Sequence, residues 1–248
     1  MLPGSLPGTQ MRLPMLLPIL LASCMSAPSA PTELNLPTGA GTRVLFIGNS
    51  LTYTNDLPGA LLEVALLAGD TLQVRSVAFP DFALEDHWNE GTARTALQAT
   101  HWDFVVMQQG PSSLPENQVH LRTWTSRFAP AIRAAGATPA LFMVWPSSAR
   151  PQDFVGVQAA YRDAASAVGG IFVPAGEAWR LGLSRDAALP FYGADGFHPA
   201  LAGTMLAALT IHHHLTGHDP RTLPFPANWL GLSDALWRTM AELAVEAH

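Results

Sequence analysis

The chain has 248 residues, 48% of them hydrophobic and 13% charged, enough for one sizeable core and near the upper end of what one domain holds. A net charge of −6 with no arginine cluster argues against a nucleic-acid partner. All 13 basic residues are arginine, which reflects genomic composition rather than mechanism.

Near the N-terminus, Arg12 precedes the apolar run Leu13 to Ala22, which has the length of a signal-peptide core and is too short to span a bilayer. The run ends in "LASC", Leu21-Ala22-Ser23-Cys24, which looks like a bacterial lipobox. In signals of that kind the cysteine is lipidated and begins the mature protein. The alternative is a simple secretory signal cleaved near Ala27 or Ala30. Residues 1–24 are thus expected to be a signal peptide, with Cys24 as a lipid anchor to the membrane. The protein is expected to be exported, as a cell-envelope lipoprotein on the periplasmic or outer surface, or else secreted. Cys24 is the only cysteine, so no intramolecular disulfide forms. Residues 25–41, rich in Pro, Ser, Gly and Thr, predict a flexible tether, and residues 42–248 a single domain.

Within that domain, apolar runs alternate with stretches of helical period. The strands are predicted at Arg43 to Gly48, Leu72 to Phe79, Asp103 to Gln109, Pro139 to Trp145 and Ile171 to Pro174. Helices are predicted over Leu57 to Ala68, Asn117 to Ala135, Phe154 to Val168, Pro199 to Thr216 and Ser233 to Ala247. Continuous Val, Ile, Leu and Phe in the strands means burial on both faces. The expected fold is therefore α/β, a three-layer α/β/α sandwich around a five-stranded parallel sheet, flavodoxin-like with strand order 2-1-3-4-5. Ligands in such sheets bind beyond the carboxyl ends of the strands, where the order reverses. That puts the loop after the first strand opposite the loop after the third, Ser50 opposite Gln108-Gln109-Gly110.

"FIGNS" delivers a buried strand into Gly48-Asn49-Ser50, and alone it reads as an ordinary loop. A nucleophilic serine needs a base and a group that orients the base. The segment "YGADGFHPALAG", residues 192 to 203, offers both: Asp195 can reach His198 Nδ1 from within one turn, leaving Nε2 for a serine. Pro199 can start the helix that follows. No G-x-S-x-G elbow, P-loop or dinucleotide fingerprint is present.

"GNS" early and "DGFHP" late in a parallel α/β domain resemble the SGNH (GDSL-type) hydrolases, in particular the lipoprotein-rich bacterial branch with SGNH-type esterase domains. The likeness is strong only at the two ends of the domain. It implies Ser50 as nucleophile, His198 as general base and later acid, and Asp195 as the orienting carboxylate. It also implies an oxyanion hole made of the serine's own N–H, a glycine N–H after strand two and an Asn amide after strand three. Here the chain departs from the pattern. "AFPDFALEDHW" has no glycine, so Asp81 or Phe82 would supply the N–H and Pro80 could not. "MQQGPSS" puts Ser112 or Ser113 near the expected Asn, and is closer to the "QGES" form of some carbohydrate acetylesterases, which points to Gln109, with Gln108 in reserve.

The implied activity is a serine esterase acting on short O-acyl or O-acetyl esters of a small molecule or glycan through an acyl-enzyme, with no cofactor and no metal. The alternatives are a lipase or thioesterase, an acyltransferase using the same residues, or a glycan-binding lipoprotein of weak catalysis on the same fold. Of the remaining polar residues, His87 is expected on a helix surface, with the cleft lining as the alternative, and Trp145 in either a pocket wall or the core. His212-His213-His214 is expected to be a solvated or partly packed run with no compact metal geometry, since successive helical residues diverge.

Overall fold

The computed structural model describes residues 36–225 and 231–248, together with Met1. The predicted signal, Cys24 and most of the tether lie outside the described residues. The chain is already pinned to the domain before Thr42: Pro37 is buried, Leu36 packs on the core, and Gln73 Nε2 donates to Ala40 O at 2.9 Å.

The sheet follows from five apolar runs. Strands β1 (Thr42–Gly48), β2 (Leu72–Ala78), β3 (Phe104–Met107), β4 (Thr138–Phe142) and β5 (Ile171–Val173) pair in the order β2-β1-β3-β4-β5, all parallel. β1 is central because Val44, Leu45, Phe46 and Ile47 are all fully buried, so neither face can meet water. Its register is fixed on both sides, with Val44 opposite Val74 of β2 and Phe104 of β3. The third and fourth runs leave the ladder earlier than predicted. Gln108 N–H still donates to Ile47 O at 3.0 Å and Met143 N–H to Val173 O at 2.9 Å, after which both segments turn away as buried loops at the carboxyl edge.

Helices cover both faces. α1 (Ser50–Tyr53) and α2 (Leu57–Ala68) follow β1, and α3 (Leu84–Glu90) and α4 (Thr92–Ala99) follow β2. α5 (Pro115–Ala134), α6 (Phe154–Ala167) and α7 (Ala175–Arg185) follow β3, β4 and β5, and α8 (Leu201–Thr216) and α9 (Asp234–Glu246) close the chain. α2, α7, α8 and α9 pack as one layer and α3 to α6 as the other.

Sequence pattern does not reveal α3, α4 and α7. α3 and α4 are short and meet at Gly91, whose φ of 100° reads as a loop. α7 contains Gly176 and Gly182, which normally break helices. Both are there for close approach: a Cβ at Gly176 would lie 2.2 Å from Val144 O, and one at Gly182 2.7 Å from the Phe191 ring.

Beneath the carboxyl edge lies an aromatic layer. Trp145 stacks on Trp179 at 3.6 Å and 6°, and Tyr192 meets Trp179 edge-on at 4.9 Å. Each buried indole N–H finds a carbonyl, Trp145 that of Phe197 at 2.9 Å and Trp179 that of Gly203 at 3.3 Å. Trp179→Ala is expected to lower stability by about 3–5 kcal/mol, read as a shift in the urea midpoint at unchanged slope.

Candidate active site

The turn after β1 is built residue by residue. Gly48 has no room for a side chain, since a Cβ would lie 2.3 Å from Thr52 Oγ1 and 2.7 Å from Gln108 Nε2. Asn49 is buried and caps α1: its Oδ1 accepts from Leu51 N–H at 3.1 Å and Gln108 Nε2 at 2.8 Å. Its Nδ2 donates to Phe82 O at 3.1 Å. One amide thus joins the loops after β1, β2 and β3, and Ser50 stands half-buried as the first residue of α1.

The second half of the site is the loop before α8. His198 Nδ1 and Asp195 Oδ2 are 2.5 Å apart. Asp195 Oδ1 also accepts from the N–H groups of Phe197 at 3.0 Å and His198 at 2.9 Å. The hydrogen bond from His198, followed by the one from Phe197 N–H, holds the Asp195 carboxyl down at about 2. A carboxylate can only accept, so His198 donates to it through Nδ1–H, which leaves Nε2 outside that bond. The ring is 38% exposed, and Nε2 has no partner among the described residues.

These halves are tied together. Asn55, soon after Ser50, donates through Nδ2 to Pro199 O at 2.8 Å and Thr204 Oγ1 at 3.0 Å, beside His198. Trp145 Nε1 holds Phe197 O from below. Ser148 N–H donates to Gly196 O at 2.8 Å, and Gly193 N–H to His198 O at 2.7 Å.

Backbone strain collects at the same edge. The non-glycine residues with positive φ among the described residues are Asn55 (53°), Asp56 (52°), Asp81 (59°) and Ser112 (58°), all in the loops after β1, β2 and β3. Such conformations persist only where surroundings impose them, and they gather at functional sites.

No protein-family model and no curated protein matches the sequence. Solved structures do. One is a protein of Slackia heliotrinireducens assigned as an SGNH hydrolase, 28% identical, covering 71% of this chain and 100% of its own, with a TM-score of 0.61. The chain belongs to the SGNH hydrolase superfamily. A DUF4886 family protein of Bacteroides uniformis shares the fold at 17% identity, over 82% of this chain and 93% of that one, TM-score 0.70. So does a variant of an acetylxylan esterase from Geobacillus stearothermophilus, at 17% identity over 73% and 97%, TM-score 0.53.

This SGNH hydrolase uses its glutamines differently from the sequence expectation. Gln109 Nε2 is engaged by Ser112 Oγ at 3.1 Å and His120 Nδ1 at 3.3 Å, while its Oε1 accepts from Leu84 N–H at 3.3 Å. Gln108 Nε2 is taken by Asn49 Oδ1 and, at 2.9 Å, by Thr52 Oγ1. Both amides brace the loops themselves, and both are buried. Ser113 Oγ is turned to Asp153 at 3.2 Å. The N–H groups of Ser50 and Asp81, in contrast, have no hydrogen-bond partner among the described residues, whereas Phe82 N–H closes a turn on Phe79 O at 3.4 Å.

One histidine expectation is corrected, and a second is made specific. His87 is fully buried, not on a helix surface: Nε2–H donates to Gly48 O at 2.7 Å and the ring packs on Phe79 and Phe82, so burial pushes its pKa down. It was missed because the wall it completes, residues 79–82, lies outside its own helix. His212 is likewise fully buried and bonded to Asp70. Trp145 belongs to the core, and its role as a prop under the His198 loop has no local sequence signal.

Asn49→Ala and Gln108→Leu should each lower stability by about 1–3 kcal/mol, because each strips a hydrogen bond from the buried amide that remains. In a double-mutant cycle by urea denaturation the pair should cost less than the sum, with a coupling of about 1 kcal/mol. Strict additivity would mean that the two amides do not act on each other.

Proposed function

We propose that this chain is a serine esterase that hydrolyses carboxylic esters, and in particular short O-acyl esters such as O-acetyl groups carried by a glycan or a small envelope molecule. The observation that carries the reading is the Asp195–His198 pair, joined at 2.5 Å with Nε2 open, in a loop that Asn55 ties to the Ser50 segment. Ser50 Oγ attacks the ester carbonyl carbon while His198 Nε2 takes its proton. The carbonyl oxygen becomes an oxyanion, which the N–H groups of Ser50 and Asp81 stabilise. Collapse of the tetrahedral intermediate expels the alcohol, protonated by His198, and leaves an acyl-Ser50 ester. Water, deprotonated by His198, then releases the acid and restores the serine.

Asp81 suits this role because its positive φ aims a backbone N–H in the way that the family's glycine does. The preference for short acyl groups draws on the acetylxylan esterase among the structural neighbours and on the "QQGPSS" loop. We also propose membrane attachment through a lipid on Cys24 and export to the cell envelope, from the Arg12 to Cys24 segment. Among the described residues no helix is long and apolar enough to cross a membrane.

Hydrolysis of p-nitrophenyl acetate tests the reading. Ser50→Ala should reduce kcat/KM by at least about 1,000-fold. Equal rates for wild type and this variant would overturn the esterase and favour a glycan-binding protein on the same fold. A chain-length series of esters then separates acetylesterase from lipase.

With the Asp195 carboxyl held at about 2, that residue stays charged from pH 8 down to pH 4. Its depressed pKa means that the support it gives the loop is present above the ordinary carboxylate range and is lost only as pH falls towards 2. Carboxylate titration of the full chain followed by NMR should show Asp195 still ionised at pH 4. Protonation of Asp195 at or above pH 4 would mean that the pair is not held as described.

The oxyanion assignment has its own test. Asp81→Gly keeps the N–H and accepts the same φ, so it should retain kcat within about threefold. Loss of activity in Asp81→Gly would show that the carboxylate, not the N–H, is what the reaction uses.

A further inference from the structure

The sequence gives no sign of a metal site, because Asp70 lies far along the chain from His212 and His218. Asp70 lies in the turn between α2 and β2, His212 in the last turns of α8, and His218 just past Gly217, which ends that helix. The fold brings them to one point. His212 Nε2 is 2.7 Å and His218 Nδ1 2.8 Å from the same oxygen, Asp70 Oδ2, and one ligand atom from each residue falls within a 4.8 Å group.

We propose that Asp70, His212 and His218 form a binding site for a divalent transition-metal ion of the zinc class, at the end of the sheet opposite Ser50. Asp70 precedes the first residue of β2, whereas Ser50 follows the last residues of β1, and the two strands run parallel in register. The site is therefore separate from the candidate nucleophile, and does not depend on the esterase reading.

The donor set selects the ion. Two imidazole nitrogens and one carboxylate oxygen suit zinc, cobalt or nickel, whereas calcium and magnesium take oxygen ligands. Metal–ligand distances of about 2.0–2.2 Å in a tetrahedral shell put donor atoms roughly 3.3–3.5 Å apart. The present separations are shorter by about half an ångström, and His218 is the ligand able to open them. Its side chain is 50% exposed, beyond the helix end, while His212 is fixed by complete burial.

A bound ion would take the place of the hydrogen bond between His212 Nε2 and Asp70 Oδ2. Ligation through Nε2 puts the His212 proton on the buried Nδ1, which has no partner among the described residues, so the metal bonds must outweigh one unpaired N–H. His213 Nδ1 holds His218 O at 2.8 Å and so keeps the ligand-bearing loop folded back on the helix. The exposed side of His218 leaves room for water as the fourth ligand and for entry of the ion.

The test is titration of the full chain with zinc chloride, followed by calorimetry and thermal unfolding. One ion per chain is expected, removable by EDTA, with Tm raised by about 5–10 °C when free zinc is about 100-fold above Kd. His218→Ala, at an exposed position, and Asp70→Asn should each weaken binding at least 10-fold. His101→Ala and His214→Ala should leave it unchanged. No one-to-one binding by the wild-type chain would reduce the cluster to a hydrogen-bonded clamp and overturn the proposal. Binding that survives both His218→Ala and Asp70→Asn would place the ion elsewhere and overturn it equally.

Discussion

The candidate site depends on one buried amide. Asn49 receives hydrogen bonds from its own helix start and from Gln108, and gives one to Phe82, so three loops from three strands share a single hub. Each such bond contributes on the order of 1 kcal/mol net, but a lone buried amide costs more than that, so the hub is held by the penalty of breaking it. The turn around Ser50 has no comparable freedom to rearrange: Gly48 is pressed against Thr52 and Gln108, and its carbonyl is held by His87. A nucleophile must be presented within a fraction of an ångström, and buried neutral amides do this without putting a second charge beside the reacting carbonyl.

That hub accounts for the altered third loop. The superfamily resemblance led to an expectation that an amide after β3 points at substrate. In this chain the amides of Gln108 and Gln109 are spent inward, on Asn49 and Thr52 and on Ser112 and His120. In the loop after β2, Asp81 adopts a positive φ of the kind that favours glycine. A backbone N–H needs no particular side chain, which is why the missing glycine does not by itself remove a donor.

What could be read from the sequence was what short-range physics writes there. Val44 to Ile47 are buried on both faces, so the run itself announces a central strand, and the parallel order follows from the helices between the runs. Asp195 and His198 meet within one turn, so their pairing was visible as spacing. The illegible parts depend on distant partners. α7 looked broken because Gly176 and Gly182 answer to Val144 and Phe191, not to helix propensity. His87 looked like a surface residue because the groups that bury it lie across the fold, and nothing near His212 reports Asp70. Gln109 looked available because nothing in "MQQGPSS" reports His120 on α5.

The Asp195–His198 pair raises a final question, how an exposed loop can be rigid enough for acid–base chemistry. Asp195 is 52% exposed at its side chain, and an exposed hydrogen bond of this kind has little strength of its own. The rigidity comes from below. Trp145 is locked face-to-face on Trp179 and uses its indole N–H to hold Phe197 O. Tyr192 leans edge-on against the same Trp179, bonds Pro146 O at 2.7 Å, and bridges to Pro199 on the far side of His198. The loop is thereby fixed on both sides of His198 by aromatic residues in the core or partly buried against it. Core packing here does more than stabilise the domain: it sets the position of a solvent-facing imidazole that the local hydrogen bond alone could not hold still.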